Sequence, residues 1–281
     1  MKGHEDTHDS TATTGSPAWR RLLAEPAPGQ HIAQLYTESR CLARAVAVFV
    51  AGGVRAGDGV VAIARPAHWA GIARRLEGEG VVLEGLERRG QLAVLDAAES
   101  LAALLVDGMP DPGRFDAVVG DAVRAVRRAG YPRIRAFGEM VDLLRRADLA
   151  ATIRLEELWN DFLAGHGIAL LCGYSLDAFD PRVYRGLVQR ACSVHSDLVP
   201  VEDDACFEQA VEHAYAETFG SADDGRLLRH TLLADYVRPA VMPDAAAAIL
   251  AAREFVPIAL DALLDTARRH YRATRAPHAG E

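Results

Sequence analysis

Residues 31–64 read HIAQLYTESRCLARAVAVFVAGGVRAGDGVVAIA, and this stretch decides the fold. Residues 31–36 form a short run that predicts a strand, and residues 60–64 form a wholly apolar run that predicts a buried one. Between them, residues 38–54 carry large apolar side chains at spacings of three and four, which is typical of an amphipathic helix. A strand, a helix and a second strand in this order indicate a parallel sheet.

The same alternation continues to residue 172. Further strands are predicted at 91–95, 133–137 and 168–172, and further helices at 68–79, 112–129 and 148–165. Asp96 directly follows a strand and is a good N-cap for the next helix. The pattern predicts a mainly parallel sheet with helices on both faces. Ligands in such sheets lie at the carboxyl ends of the strands, which selects the loops after Tyr36, Ala64, Leu95, Phe137 and Cys172.

From about residue 203 the strand patterns stop. Four helices are predicted instead, at 204–219, 223–235, 243–252 and 255–271. The chain is therefore divided into a disordered tail with a short leader at 1–27, an α/β domain at 28–200 and an all-helical domain at 201–281.

The composition excludes several classes of protein. The formal net charge of the 281 residues is -8, which argues against direct binding of nucleic acid. No run approaches 18 apolar residues, so no membrane span is expected. The polar, acidic start lacks the apolar segment of a secretory signal, and we expect a cytoplasmic protein. The four cysteines, Cys41, Cys172, Cys192 and Cys206, are then expected to be reduced, buried thiols.

The sequence lacks a phosphate loop. No G-x-x-x-x-G-K-[ST] occurs, and the single lysine of the chain is Lys2. Such a loop needs glycine amides around the phosphates and a lysine that reaches the terminal ones. We therefore expect a protein that binds and reports rather than one that hydrolyses a nucleotide.

Five segments together resemble a known family. They are HIAQLY at 31–36, RAFGEMVDLL at 135–144, LEELWN at 155–160, LLCGYSLDAF at 170–179 and CSVHSDLVP at 192–200. Over about residues 28–200 the chain resembles the MEDS domain. This sensory module is named for methanogen and methylotroph proteins and for the dichloromethane-responsive regulator DcmR.

The resemblance implies a fold related to the clock ATPase KaiC and to RecA-type ATPases. Residues 37–42 would occupy the position of the phosphate loop, but they contain no glycine and no lysine. Residues 65–68 stand where those ATPases carry catalytic glutamates. The resemblance therefore implies loss of ATPase activity and, from the family, sensing of small molecules that include hydrocarbon derivatives.

A ligand pocket is predicted at the strand ends. Its expected lining is His31, Tyr36, His68, Arg135, Glu139, Trp159 and Tyr174. Structural alternatives stay open for several of these residues. Trp159 equally suits a core position, and an Arg135–Glu139 pair could simply lock the turn at Gly138.

A metal site is a weaker hypothesis. Cys192 and His195 form C-x-x-H, which His31 or His68 could complete. Only two of these ligands share a local motif, so we expect neither a metal nor a cofactor.

These observations predict a non-catalytic cytoplasmic sensor that binds a small, partly apolar ligand. It would relay binding through the C-terminal helices to a kinase, a transcription regulator or a second copy. Two alternatives remain open. One is a nucleotide-binding module without hydrolysis, in which Arg40, Arg44 or Arg65 replaces the lysine. The other is a ligand-free adaptor that dimerises through helices 204–271.

Overall fold

The computed structural model describes residues 18–145, 148–183, 194–199, 204–237 and 242–275. The strands are β1 His31–Tyr36, β2 Gly59–Ala64, β3 Leu92–Asp96, β4 Leu105–Val106, β5 Met109–Pro110, β6 Ile134–Gly138, β7 Ala169–Ser175 and β8 Asp197–Val199. The helices of the first part are α1 Ala18–Ala24, α2 Ser39–Ala56, α3 Pro66–Gly78, α4 Leu83–Arg88, α5 Ala97–Leu104, α6 Pro112–Phe115, α7 Asp121–Arg128, α8 Met140–Arg145 and α9 Leu149–His166. The C-terminal helices are α10 Asp204–Phe219, α11 Ala222–Asp235, α12 Asp244–Phe255 and α13 Leu260–Arg275.

Six strands form one parallel sheet in the order β3-β2-β6-β7-β1-β8. The first strand therefore lies between the last two. In the register of β1 and β7, Ala33 is opposite Cys172 and Leu35 is opposite Tyr174. The predicted parallel sheet with helices and a C-terminal helical region is confirmed.

The sheet is covered on both faces. Side chains such as Ile32 and Leu171 point into a core closed by α1, α2 and α3. Ala33, Leu170 and Cys172 point to the opposite face, which α5 to α9 cover. This alternation follows from the two-residue period of a strand, and it decides which residues of β1 and β7 can meet.

Local signals explain where the main helices begin and end. Asp96 caps α5 as predicted, because its carboxylate accepts from the amides of Ala98 and Glu99 at 2.7 and 2.9 Å. Asp148 caps α9 in the same way. Helix α2 ends at Gly57, whose left-handed backbone suits a residue without a side chain.

Several elements differ from the sequence predictions. The predicted helix at 112–129 contains a π-helical turn, Asp116–Gly120, between α6 and α7. A Cβ at Gly120 would lie 2.3 Å from Oδ1 of Asp116, so the glycine makes room for the Asp116–Arg124 ion pair. Strand β8, helices α4 and α8 and the β4–β5 hairpin were not predicted, because each is too short to show a period.

The C-terminal helices pack against the same face of the sheet as α9. Residues of α10, α12 and α13 belong to the apolar core that also contains Cys172 and Trp159. The aromatic rings of Phe179, Phe207 and Tyr271 join the chain after β7 to α10 and α13. In the described parts of the chain, none of the helices is long and apolar enough to cross a membrane.

Candidate functional site

Glu139 is the centre of a polar network at the carboxyl end of the sheet. Its side chain is fully buried directly after β6. One carboxylate oxygen accepts from the hydroxyl of Tyr36 at 3.2 Å and lies 2.6 Å from Nδ1 of His68. The other accepts from the backbone amide of Arg65 at 2.9 Å. Glu139 therefore ties together the ends of β1, β2 and β6.

Asp142 extends the network towards β7. It accepts from the guanidinium groups of Arg65 at 2.5 Å and Arg145 at 2.9 Å. It also accepts from the backbone amide of Ser175 at 2.9 Å. Burial, followed by the charge of Glu139, raises the pKa of Tyr36 above the ordinary tyrosine value, so its hydroxyl stays a hydrogen-bond donor.

A cavity of about 550 Å³ opens beside this network. Tyr36 and Thr37 from the end of β1, Arg145 from α8 and Ser175 from the end of β7 form one side. The opposite wall is the segment that follows β7. The lining residues there are Leu176, Asp177, Asp180, Arg182 and Val183. The cavity thus combines polar and charged side chains with the apolar Leu176 and Val183, and small-molecule sites commonly have both kinds of lining.

A second polar group is enclosed beneath the sheet, on the face that α9 covers. Its four members are His31 on β1, Glu156 on α9, Cys172 on β7 and His195 just before β8, and we call them the HECH cluster. One donor atom from each lies within 4.8 Å of the other three. Exposed fractions of 3%, 4%, 1% and 6% place all four inside the protein.

The side chains of the HECH cluster are held in defined orientations. His31 Nδ1 lies 2.9 Å from Oδ1 of Asn160, and an amide oxygen only accepts, so Nδ1 carries the proton. The lone pair of Nε2 then points towards Cys172 Sγ at 3.3 Å and Glu156 Oε2 at 3.6 Å. The hydroxyl of Tyr174 donates to Oε1 of Glu156.

Burial keeps the HECH cluster largely uncharged. It lowers the pKa of His31 to about 4, with His195 as the next contribution. Burial also raises the pKa of Glu156 and, together with the charge of Glu156, the pKa of Cys172. Charged forms are disfavoured because no water reaches them.

A protein-family model described as MEDS, the MEthanogen/methylotroph, DcmR Sensory domain, matches residues 30–195. The chain belongs to the MEDS family. No curated protein matches it significantly. The matched part of this MEDS protein begins just before β1 and ends at His195. It therefore contains the Glu139 network, all the residues that line the cavity and all four members of the HECH cluster.

The residues predicted to line one pocket separate into several places in the MEDS protein. Tyr36, His68 and Glu139 come together in the network beside the cavity. His31 and Tyr174 lie in or against the HECH cluster instead. This separation arises because Tyr36 and His31 are on opposite faces of β1.

Trp159 and Arg135 lie elsewhere. Trp159 is fully buried and packs edge-on against Phe115 and Phe162, so it occupies the core position that the sequence had left open. Arg135 lies at the amino end of β6 and forms an ion pair with Asp58 at 2.9 Å rather than with Glu139. It also donates to the carbonyl of Ala24 at the C-terminal end of α1 and to the carbonyl of Phe49 within α2. A Cβ at Gly53 would approach Arg135 to 2.8 Å, so this glycine admits the arginine.

Sequence reasoning missed several residues around the cavity. Asp142, Arg145 and Ser175 lie between three and eight residues beyond predicted strand ends but were not selected. The available signal was that these residues follow a strand. Only the residues nearest to Phe137 and Cys172 were selected by that signal. Among the four cysteines, Cys41 and Cys172 are buried thiols, Cys206 is half-buried, and Cys192 lies outside the described residues.

Proposed function

We propose that this MEDS protein is a non-catalytic sensor that binds a small, partly apolar molecule in the cavity beside Tyr36 and Ser175. The observation that carries the proposal is the position of this cavity. It lies at the carboxyl ends of the adjacent strands β1 and β7. Helix α2, which follows β1, and the segment that follows β7 pack on opposite faces of the sheet, and open α/β sheets bind ligands at such a crevice.

The chemistry of the lining supports a molecule with one polar group. The guanidinium of Arg145 offers donors, and the carboxylates of Asp177 and Asp180 offer acceptors. Leu176 and Val183 supply the apolar part of the wall. A short oxygenated or halogenated hydrocarbon would fit this combination, in keeping with a sensory domain of this family.

The 176–183 wall of the cavity also contacts helix α13, which would transmit ligand binding to a partner. Asp177 lines the cavity, and its carboxylate accepts from Arg268 of α13 at 3.0 Å. Arg268 also donates to the carbonyl of Phe179 at 2.9 Å. A ligand that favours one position of the 176–183 wall would therefore bias α13. We propose that the C-terminal helices present this change to a kinase or a transcription regulator.

The nucleotide-binding alternative receives less support from the arginines that it needs. Arg65 is engaged by Asp142 and Tyr36, Arg40 pairs with Glu38 at 2.6 Å, and Arg44 lies over the ring of Trp19. We still propose that the fold is related to those of KaiC and RecA. The proposal does not include ATP hydrolysis by this protein.

Native mass spectrometry of gently purified, undialysed protein tests the proposal. We expect a bound small mass on the wild-type chain and its loss in Thr37→Trp, where an indole would fill the cavity mouth. Thr231→Trp, on the exposed surface of α11, is the matched control and should keep the bound mass.

Other outcomes are equally decisive. A bound mass that survives Thr37→Trp would place the ligand elsewhere. A bound nucleotide, or saturable ATP binding that Arg40→Ala abolishes, would support the nucleotide module. A dimer without any bound mass, which also fails to shift its melting temperature with short-chain alcohols and halomethanes, would support the adaptor.

A further inference from the structure

We propose that the HECH cluster is a metal site, in which His31, Glu156, Cys172 and His195 bind one zinc ion in a tetrahedral arrangement. It lies beneath the sheet, whereas the cavity opens at the strand ends, so the inference does not depend on the proposed ligand.

The separations between donor atoms suit zinc. Bond lengths of about 2.0–2.3 Å for zinc to nitrogen, oxygen and sulfur give tetrahedral edges of roughly 3.3–3.8 Å. His31 Nε2 lies 3.3 Å from Cys172 Sγ and 3.6 Å from Glu156 Oε2. His195 Nε2 lies 3.8 Å from the other oxygen of Glu156, Oε1, and the four donor atoms lie within 4.8 Å of one another, so the longest separations would shorten by about 1 Å when the ion binds. Two imidazoles, one thiol and one carboxyl group form a mixed set that zinc accepts readily.

The buried carboxylate provides independent support. Glu156 Oε2 is inaccessible to water and has no hydrogen-bond partner among the described residues. Within the same described residues, Glu156 forms no ion pair with an arginine. A buried acceptor without a partner is costly, and a bound cation would satisfy it.

Charge balance points the same way. Zinc binding displaces the protons of Cys172 and Glu156 to solvent as the sulfur–zinc and oxygen–zinc bonds form, so both bind as anions. Two negative ligands and two neutral imidazoles then balance the charge of Zn²⁺. The complex is neutral overall, which is the condition for burying an ion in an apolar core.

The surrounding side chains already orient the donors. Asn160 fixes His31 with Nε2 towards the cluster, and Tyr174 holds one oxygen of Glu156. Metal-binding histidines and carboxylates usually have such partners. Asn160 and Glu156 are four residues apart on α9, so one helical face supplies both a ligand and the group that orients another.

Four protein donors leave no open position, so the site would stabilise structure rather than catalyse a reaction. Three donors come from β1, α9 and β7, whereas His195 comes from the chain that leads into β8. The ion would therefore fasten this edge strand to the centre of the sheet.

Metal content of the untagged full-length chain tests the site directly. The protein is unfolded with chelator and reductant, refolded with or without ZnCl₂, desalted and analysed by plasma mass spectrometry. We expect about one zinc ion per chain, in line with a single four-ligand site. At a thousandfold excess of zinc over its dissociation constant, the melting temperature should rise by about 10 °C.

Cobalt distinguishes this site from adventitious binding. Refolding with CoCl₂ should give the visible bands of tetrahedral Co²⁺ and a thiolate charge-transfer band in the near ultraviolet. Cys172→Ser should abolish the charge-transfer band, and His195→Ala should weaken binding at least tenfold. Cys41→Ser, at another buried cysteine, and His230→Ala, at an exposed histidine, are matched controls and should leave both signals intact.

Two results would overturn the site. In the first, wild-type protein folds equally well with and without metal and retains neither zinc nor cobalt. In the second, cobalt binds but its thiolate band persists in Cys172→Ser. Because the first of these results is read on the wild-type protein alone, a variant that fails to fold does not protect the proposal.

Discussion

The carboxylate of Asp177 accepts a hydrogen bond from Arg268 at 3.0 Å, and this ion pair joins the wall of the cavity to the last helix. The same guanidinium lies 3.7 Å from Asp265, one turn earlier on that helix. Arg268 therefore contacts both the cavity wall, through Asp177, and its own helix, through Asp265. Substituting one aspartate at a time separates the two contacts.

Asp177→Asn should loosen α13 without unfolding the protein. The pair is partly exposed, so its loss should cost no more than about 1 kcal/mol. Amide hydrogen exchange in residues 260–275 should accelerate by up to about fivefold as the helix opens more often. Asp265→Asn, which removes only the contact within the helix, is the control. Equal acceleration in both variants would show that the Asp177 contact does not hold this helix.

Glu139→Gln should destabilise the protein strongly. The amide keeps the shape of the carboxylate but removes the buried negative charge beside His68, and it leaves Arg65 paired with Asp142. Breaking such a buried pair costs about 3–5 kcal/mol, measured as the free energy of unfolding in urea. Glu84→Gln removes an exposed pair with Arg88 and should change that free energy by less than about 0.5 kcal/mol. A small effect at Glu139 would contradict the central role of this network.

Trp159→Ala should affect stability rather than ligand binding. The indole is fully buried between Phe115 and Phe162, so its removal leaves a cavity that costs about 3–5 kcal/mol. Trp69→Ala, at a half-buried tryptophan of α3, should cost clearly less. If Trp159→Ala were stable but no longer retained the co-purified molecule, the tryptophan would belong to the ligand site after all.

Stability should fall in alkaline solution, in part through Tyr215. Its hydroxyl donates to the carbonyl of Ala248 at 2.7 Å, and burial raises its pKa above the ordinary value. The folded state thus favours the protonated phenol. Its contribution is complete below the unfolded pKa of about 10 and is lost as the pH rises beyond that value.

Tyr215→Phe isolates that contribution. The variant should be less stable at neutral pH by about 1 kcal/mol, because a hydrogen bond is lost. Between about pH 10 and pH 11, however, its free energy of unfolding should fall less steeply than that of the wild type. Tyr131→Phe, at a half-buried tyrosine, is the control. An unchanged slope in Tyr215→Phe would show that this phenol does not contribute to the alkaline loss.

The sequence predicted the elements better than it predicted their assembly. Periodicity predicted both bounds of β1 and placed those of α9 within one residue, because a clear apolar pattern specifies both the type and the extent of an element. It could not provide the strand order or the register. These two properties bring Cys172 next to β1.

The HECH cluster illustrates this limit. Its members stand at positions 31, 156, 172 and 195, and the sequence shows neither a shared motif nor a fixed spacing among them. Cys172 can reach His31 only because the register sets it opposite Ala33, which points to the same face. Short-range pattern analysis therefore selected C-x-x-H at Cys192 and His195 instead, and missed Glu156 and Cys172 as its companions.

The place of β1 between β7 and β8 has a consequence for folding. Strand β1 is synthesised before both of its sheet neighbours, which lie near the end of the α/β region, so its edges stay unpaired until those strands have been made. Contacts of such long sequence separation slow folding and leave strand edges open to association with other chains. Nascent chains of this protein are therefore expected to depend on chaperones until β7 emerges, and truncation before residue 169 should yield aggregates rather than a smaller folded unit.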